Sequence, residues 1–389
     1  MRILQVISGV DPNFGGPSVG SARLNEALNR TGSHAVLIST TLANSGHSVL
    51  DVDELRALGS HELRLLAYPP SRPVRLHNSW GALRAIWRQV QTADAVHIHG
   101  QHRMPSVWAY ICAVAWGTPY GVQVHGILEP FQREKSKGKK WAFDLIVGSG
   151  MLNRATYVLF ASQVEAERAR DVVPDSRALV HPLGADLPPG KAPNLTAEQV
   201  RIINSAPRER RVCFLGRLAR KKQPDLLIRA WAKLDRPDAV LIIAGPDDDL
   251  GRAELELLAA GLGVKERVAI VGPLSGGERT WLFQQCAIFA LPSLNENFGI
   301  AVGEAMLAGC HVICSSEVAA SAHLDAAKSG TVLPELNEDV VVEAVQVALD
   351  SSEYVAGSGR RAQQYAKQHL TWDQLAEAVS RRIAQARLE

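Results

Sequence analysis

Short apolar, β-branched runs recur along this chain, each followed by a turn rich in Gly, Pro or Asp and then by a stretch with helical periodicity. No other property of the sequence narrows the fold as much. Parallel strands cannot be joined by tight hairpins and need a crossover, usually a helix, so this rhythm predicts a parallel sheet covered on both faces. Strands are expected at 2–7, 36–39, 63–67, 95–99, 120–124, 157–161 and 178–180, with helices at 80–90, 105–116 and 163–170 among them. The rhythm breaks at 182–206, where Pro182, Gly184, Pro188, Pro189, Gly190 and Pro193 gather, although 197–204 reads as a short helix. It restarts with strands at 212–215, 240–244, 268–271, 288–291, 311–314 and 331–333, and a helix at 372–387 closes the chain. The fold class expected is α/β, with two doubly wound Rossmann-like domains facing across a cleft. The first spans 1–190, a linker 191–206, the second 207–370, and the terminal helix 371–389 is expected to pack back on the first domain. In such sheets ligands bind beyond the C-terminal ends of the strands, so the loops after them are where chemistry is sought.

Composition removes several alternatives. With 389 residues and 46% hydrophobic content the chain can bury substantial cores, and wholesale disorder is excluded. The net charge is +2, from 42 Lys and Arg against 40 Asp and Glu, which speaks against a nucleic-acid partner. The longest apolar stretch, 107–116, is too short to span a bilayer, and the N-terminal apolar run is too short for a secretion signal, so a cytoplasmic protein is expected. Five scattered cysteines suit buried thiols in a reducing compartment better than a disulfide framework.

Three strand-end segments carry most of the chemistry. In 291–309 a strand ends at Pro292, a loop holds Glu296, and a helix opens near Phe298-Gly299 and stops at Gly309. The helix's free N–H groups suit an anion such as phosphate. Glu296 and Glu304 supply carboxylates that can each accept two hydrogen bonds from a vicinal diol, the alternative being a helix cap at Glu296 and a solvated Glu304. In 214–223 a buried strand delivers Gly216, which permits close backbone approach, followed by Arg217 and Lys222, a fork and a point charge suited to phosphate oxygens. After the first strand, Gly15-Gly16-Pro17 lacks the G-x-G-x-x-G spacing and the second strand ends without an acid, which disfavours a nicotinamide dehydrogenase.

Gly216-Arg217 with Lys222, Glu296-Asn297-Phe298-Gly299 running to Glu304, and the Glu-x7-Glu spacing they contain closely resemble the second domain of retaining glycosyltransferases of family 4, two-domain enzymes of the B architecture. Gly15-Gly16 and Val124-His125-Gly126 extend the resemblance into the first half. The resemblance implies a nucleotide-sugar donor whose diphosphate is bound by Arg217 and Lys222 and whose ribose is held by Glu304. Glu296 and the backbone of Asn297, Phe298 and Gly299 would hold the donor sugar and its phosphate, Gly16 would approach the phosphates, and His125 would lie beside the transferred sugar. Pro273 and Leu274 would contact the base. Transfer with retention and without a metal or other cofactor is implied, Glu296, His125, Arg217 and Lys222 being the catalytic candidates. The expected acceptor is a glycan or lipid-linked sugar of bacterial polysaccharide or envelope synthesis. A small acceptor (a sugar phosphate or secondary metabolite) and a non-catalytic nucleotide-sugar-binding protein are the rival readings. Two positions depart from the family pattern: His311-Val312 stands where Pro-Val is common, and 317–322 replaces a Gly-Gly-x-x-Glu segment.

Three further features admit other chemistry. Asp247-Asp248-Asp249 contains a metal-type acidic triplet but follows Gly245-Pro246, where a solvated turn is the better reading. His97, His99, His102 and His125 gather at sheet ends without an acidic ligand at telling spacing, so loop-edge histidines are preferred to a metal set. The stretch 131–143 mixes five cations, one acid and three aromatics, and the first 190 residues hold 19 Lys and Arg against 15 Asp and Glu. Such a segment can lie on an anionic membrane surface, steer an acidic or lipid-diphosphate acceptor, or form an ordinary solvated helix entrance.

Overall fold

The computed structural model describes residues 1–11, 14–43, 60–128, 143 and 147–387. The strands are β1 (Arg2–Val6), β2 (His34–Thr40), β3 (Leu65–Tyr68), β4 (Ala95–His99), β5 (Tyr120–Gln123), β6 (Tyr157–Phe160) and β7 (Ala178–Val180), then β8 (Arg211–Leu215), β9 (Val240–Ala244), β10 (Val268–Gly272), β11 (Ile288–Leu291), β12 (His311–Ser315) and β13 (Thr331–Leu333). The described helices of the first half are α1 (Gly16–Arg30), α2 (Trp80–Val90), α3 (Met104–Trp116), α4 (Ser149–Asn153) and α5 (Gln163–Arg168). Those that follow are α6 (Ala197–Asn204), α7 (Pro224–Lys233), α8 (Arg252–Gly261), α9 (Gly277–Gln285), α10 (Ile300–Leu307), α11 (Ser321–Ala326), α12 (Glu338–Asp350), α13 (Ser352–His369) and α14 (Trp372–Ala386).

Two parallel sheets result, ordered β3-β2-β1-β4-β5-β6-β7 and β10-β9-β8-β11-β12-β13. Each is doubly wound: the chain moves outward from β1 or β8, then returns to the other side of that strand. The order reverses between β1 and β4 in one sheet and between β8 and β11 in the other, which is where such sheets leave a crevice for ligands. All five residues of β9, Val-Leu-Ile-Ile-Ala, are buried, as expected of a central strand covered on both faces.

The chain divides into one unit of Met1–Gly184 with Trp372–Glu389 and a second of Ala185–Thr371. Residues 191–206 lie inside the second unit, where α6 is fixed by a capping box between Thr196 and Gln199. The Gln199 side chain also donates to the Ile270 carbonyl at 2.7 Å, tying this segment to β10. In the first unit α14 lies against α1: the guanidinium of Arg30 meets Asp373 at 2.5 Å, and a Cβ at Gly20 would sit 3.4 Å from the Trp372 ring.

His311, in the place of a more usual proline, is a core residue. Its ring bonds to Ser358 Oγ at 2.8 Å and to Thr331 Oγ1 at 3.2 Å, and burial lowers its pKa to about 4, so it is a neutral link between β12, β13 and α13. All five cysteines are buried free thiols. No helix among the described residues is long and apolar enough to cross a membrane.

Candidate functional site

The second unit gathers its polar side chains at the reversal between β8 and β11. Leu215 ends β8, and Gly216 N–H donates to the Ala244 carbonyl, closing the strand end against β9. Gly245 is required next: its φ is 154°, and a Cβ there would lie 1.7 Å from the Gly216 carbonyl oxygen. Gly216 in turn leaves room for Lys222, whose Cδ would stand 2.9 Å from a Cβ at that position. The lysine stem therefore crosses over the glycine, and its Nζ meets Glu296 Oε1 at 2.5 Å with only 13% and 15% of the two side chains exposed. These residues lie 74 positions apart, and the doubly wound topology alone brings them together.

Glu296 occupies a loop with a tight backbone frame. Leu294 N–H donates to the Lys221 carbonyl, Glu296 N–H to Glu317 O, Ala319 N–H to Glu296 O and Ala320 N–H to Phe298 O. The segment that departs from the family pattern, 317–320, is thus the rail along which the 296–298 loop lies. Burial pushes the Glu296 carboxyl up, but Lys222, Lys221 and Arg217 together outweigh it and hold the group below the ordinary carboxylate range. It is an anion at neutral pH. Glu296 is not the helix cap. That position belongs to Gly299, left-handed at φ 89°, where a Cβ would lie 2.8 Å from Val318 Cγ1. Gly299 has no side chain with which to cap α10, and a helix N-terminus of this kind presents N–H groups suited to an anion. The Phe298 ring is 2% exposed and edge-on to His323, so only its backbone can serve a ligand.

Arg217 is ion-paired with Asp248 in a half-exposed setting, and the other two acids of the triplet bond to backbone, Asp249 accepting from Arg220 N–H at 2.7 Å and Asp247 from Arg252 N–H at 3.0 Å. The triplet shapes the loop that carries Arg217; it is not merely solvated. Among the described residues no group of three His, Cys, Asp or Glu is placed to hold a metal ion.

Glu304, in the middle of α10, is not a solvated residue. Its side chain is 6% exposed and ion-paired with Arg279 in the first turn of α9. Arg279 escaped the sequence reading, since nothing in the spacing links it to a carboxylate 25 residues away. Pro273 and Leu274 form the loop between β10 and α9, Pro273 exposed and Leu274 half-buried.

In the first unit, Gly16 opens α1 with Pro17 in its first turn, an exposed and uncapped helix start beside the β1 end. His125 follows β5 in the left-handed region at φ 51°. Glu165 fixes this turn by accepting from Gly126 N–H at 2.8 Å and Ala161 N–H at 2.7 Å. His125 Nε2 lies 3.1 Å from His99 Nδ1, while His97 bonds to Tyr157 Oη at 2.7 Å. Burial lowers the pKa of His97 to about 4 and of His125 to about 3, and that of His99 well below the ordinary value, so all three rings are neutral at pH 7. The basic-aromatic stretch 131–143 lies outside the described residues except for Phe143.

Comparison with known proteins agrees with this architecture. Residues 196–369 match the family model "Glycosyl transferases group 1" and residues 15–184 match "Glycosyl transferase 4-like domain". D-inositol 3-phosphate glycosyltransferase of Mycobacterium sp. (strain KMS) is 32% identical over 172 residues, 43% of this chain and 38% of that protein. The Actinosynnema mirum protein of the same name is 27% identical over 257 residues, 61% of each. These matches thus span less than two thirds of the relatives' own length. Anabaena HepE, solved with UDP and glucose, superposes with TM-score 0.75 at 16% identity over 99% of this chain and 100% of that one. Sucrose-phosphate synthase of Thermosynechococcus elongatus gives 0.74 at 18% over 99% of both. With both halves matched in order and each built as a doubly wound parallel sheet, the chain belongs to the family-4 type of glycosyltransferases with the GT-B fold.

Proposed function

We propose that this protein transfers a hexosyl unit from a nucleotide-sugar, a GDP- or UDP-hexose, to a glycan or lipid-linked acceptor in bacterial polysaccharide or envelope synthesis, with retention and without a metal. The observation that carries the donor side is the Lys222–Glu296 pair beside the start of α10, whose N-cap is a glycine, with Arg217 on the adjacent loop. Departure of a nucleoside diphosphate develops negative charge, and cations with fixed N–H groups stabilise it most where water is excluded. Lys222 and the α10 N-terminus take that role. Arg217 joins them at little cost, because a half-exposed pair such as Arg217–Asp248 is worth only about 0–1 kcal/mol and exchanges readily for phosphate. Glu296 orients the lysine and offers its remaining oxygen to sugar hydroxyls, while Glu304 faces the ribose with its rotamer set by Arg279. Pro273 and Leu274 flank the base, Gly16 approaches the phosphates, and His125 attends the sugar. None of these residues is assigned as a covalent nucleophile.

The test is a thermal-shift panel of UDP-glucose, GDP-mannose, ADP-glucose and the free nucleotides. At 100 times its Kd, the matching donor adds about 2.7 kcal/mol to the stability of the folded state. A rise with one base and not the others, accompanied by turnover with an acceptor, is the expected result; no shift with any nucleotide overturns the reading, and binding without turnover favours the non-catalytic alternative.

A second acceptor reading has its own support. The relatives matched in sequence are named for inositol 3-phosphate and one structural neighbour for sucrose phosphate, so a small phosphorylated acceptor is the alternative to a glycan. Transfer to inositol phosphates or hexose phosphates but not to lipid-linked sugars would select it.

Peripheral membrane association finds support in the helices α2 and α3. Between them they carry Arg84 and Arg88 but no acid, and Trp80, Trp87 and Trp116 are 55%, 44% and 47% exposed. Tryptophan and arginine on one outward surface suit an anionic lipid interface. Each cation near such a surface is worth about 1 kcal/mol, so Arg84→Gln with Arg88→Gln is expected to reduce co-sedimentation with phosphatidylglycerol vesicles by roughly 30-fold. Equal sedimentation of wild type and variant would discard the surface.

A further inference from the structure

A chain of buried hydrogen bonds under the first unit's sheet end decides which nitrogen of His125 carries its proton. The chain begins at groups with no freedom of choice. The backbone N–H of Arg64 donates to Asn25 Oδ1 at 3.0 Å, which fixes the orientation of that amide. Asn25 Nδ2 must then be the donor in its 2.8 Å bond to Gln5 Oε1, which fixes Gln5 in turn. Gln5 Nε2 therefore donates to His99 Nε2 at 3.2 Å. A neutral imidazole that accepts at Nε2 is protonated at Nδ1, so His99 Nδ1–H donates to His125 Nε2 at 3.1 Å. His125 accepts there and must hold its own proton on Nδ1. A neighbouring amide is oriented in the same sense: Asn29 Oδ1 accepts from Ala35 N–H at 2.8 Å, and its Nδ2 donates to Ala35 O at 3.0 Å and Glu62 O at 2.9 Å, with Asn25 Oδ1 a longer contact at 3.3 Å.

Gln5, Asn25 and His99 are 0%, 0% and 3% exposed, so water does not compete for these positions. All lie on elements around the β1–β4 reversal: Gln5 in β1, Asn25 on α1, His99 at the end of β4. Among the described residues Nδ1 of His125 has no partner, and the side chain is partly exposed.

We infer that Asn25, Gln5 and His99 are positioning residues that lock His125 as an Nδ1–H hydrogen-bond donor toward a ligand oxygen, so that His125 serves neither as a general base nor as an acceptor on its open side. In the reading proposed above, on which this assignment of a ligand rests, the oxygen is a hydroxyl of the transferred sugar. The same tautomer persists in the free protein, whatever ligand binds.

The decisive measurement is therefore made without ligand. In full-length protein labelled with ¹⁵N-histidine at neutral pH, with His125→Gln identifying the resonances, His125 is expected to show a protonated Nδ1 and a bare Nε2. A protonated Nε2, or a doubly protonated ring, overturns the inference. Gln5→Leu removes the donor that orients His99 while keeping the core apolar, and is expected to release His125 into a mixture of both tautomers. An unchanged Nδ1–H form in that variant would show that the relay does not govern it. If Gln5→Leu does not fold, Asn25→Leu poses the same question one bond earlier, and the wild-type spectrum stands by itself. Should the tautomer prove correct while no nucleotide-sugar binds, the relay survives and only the sugar as its target fails.

Discussion

Lys222→Ala is expected to lower glycosyl transfer by about 10²–10³-fold at saturating donor, the loss typical when one fixed donor to a developing anion is removed. Two consequences must be separated. Lys222 is the immediate cation of a nearly buried carboxylate, and removing one partner of such a pair is destabilising by about 3 kcal/mol or more. The Glu296 carboxyl, held low by Lys222, Lys221 and Arg217 against the effect of burial, would also move upward. The double variant Lys222→Ala, Glu296→Ala removes both charges and is expected to recover much of the stability but none of the turnover. Urea titration and steady-state kinetics on the three variants distinguish these effects. Turnover by Lys222→Ala within threefold of wild type, with the matching donor identified, would remove Lys222 from the chemistry. Recovery of turnover in the double variant would show that the single change acted only through an uncompensated Glu296.

This pair also marks how far the sequence could be read. The strands at 95–99, 178–180, 240–244, 288–291 and 331–333 and the helix at 80–90 lie where the apolar periodicity placed them; for 95–99, 240–244 and 288–291 the reason is that fully buried parallel strands have few other ways to satisfy their backbone groups. Element ends moved by a residue or two: β8 begins at Arg211 rather than 212, and the helix expected at 163–170 stops at Arg168. The loop residues after β8 and β11 were visible as glycines and charges. Which charge meets which was not visible. Lys222–Glu296 and Arg279–Glu304 join residues whose proximity is set by strand order, and local periodicity carries no information on that order. Arg217 shows the reverse case, a residue singled out for phosphate whose local partner, Asp248, came from a triplet read as a solvated turn. By its pattern His99 is a loop-edge residue, yet it is buried in a hydrogen-bond relay whose direction depends on the backbone N–H of Arg64, which no motif records.

Arg279→Ala is expected to cost stability on a scale comparable to that of Lys222→Ala. Glu304 is 5% exposed in the middle of α10, with Gly303 beside it packed so closely that a Cβ there would lie 3.2 Å from Ala185. Its helix cannot easily shift to let water reach the carboxylate. Removing the guanidinium is therefore expected to cost about 3 kcal/mol, the lower end for leaving a buried charge without its counter-ion. For a unit of this size that corresponds to a fall of roughly 6–12 °C in its melting transition. Glu304→Ala is expected to cost less, because Arg279 is 23% exposed and its freed guanidinium can turn toward water. The asymmetry matters more than either value: the double variant should be more stable than Arg279→Ala, since it leaves no carboxylate behind. Equal losses from the two single variants, adding in the double, would mean that the pair is energetically uncoupled and that the rotamer of Glu304 is held by something other than Arg279. If the coupling holds, the two residues also part company in binding. Glu304→Ala removes the acceptor for the ribose diol itself, whereas Arg279→Ala leaves that carboxylate present without the guanidinium that pairs with it. UDP or GDP, whichever the panel selects, should therefore bind Arg279→Ala more weakly than wild type and more tightly than Glu304→Ala at a temperature where all three are folded.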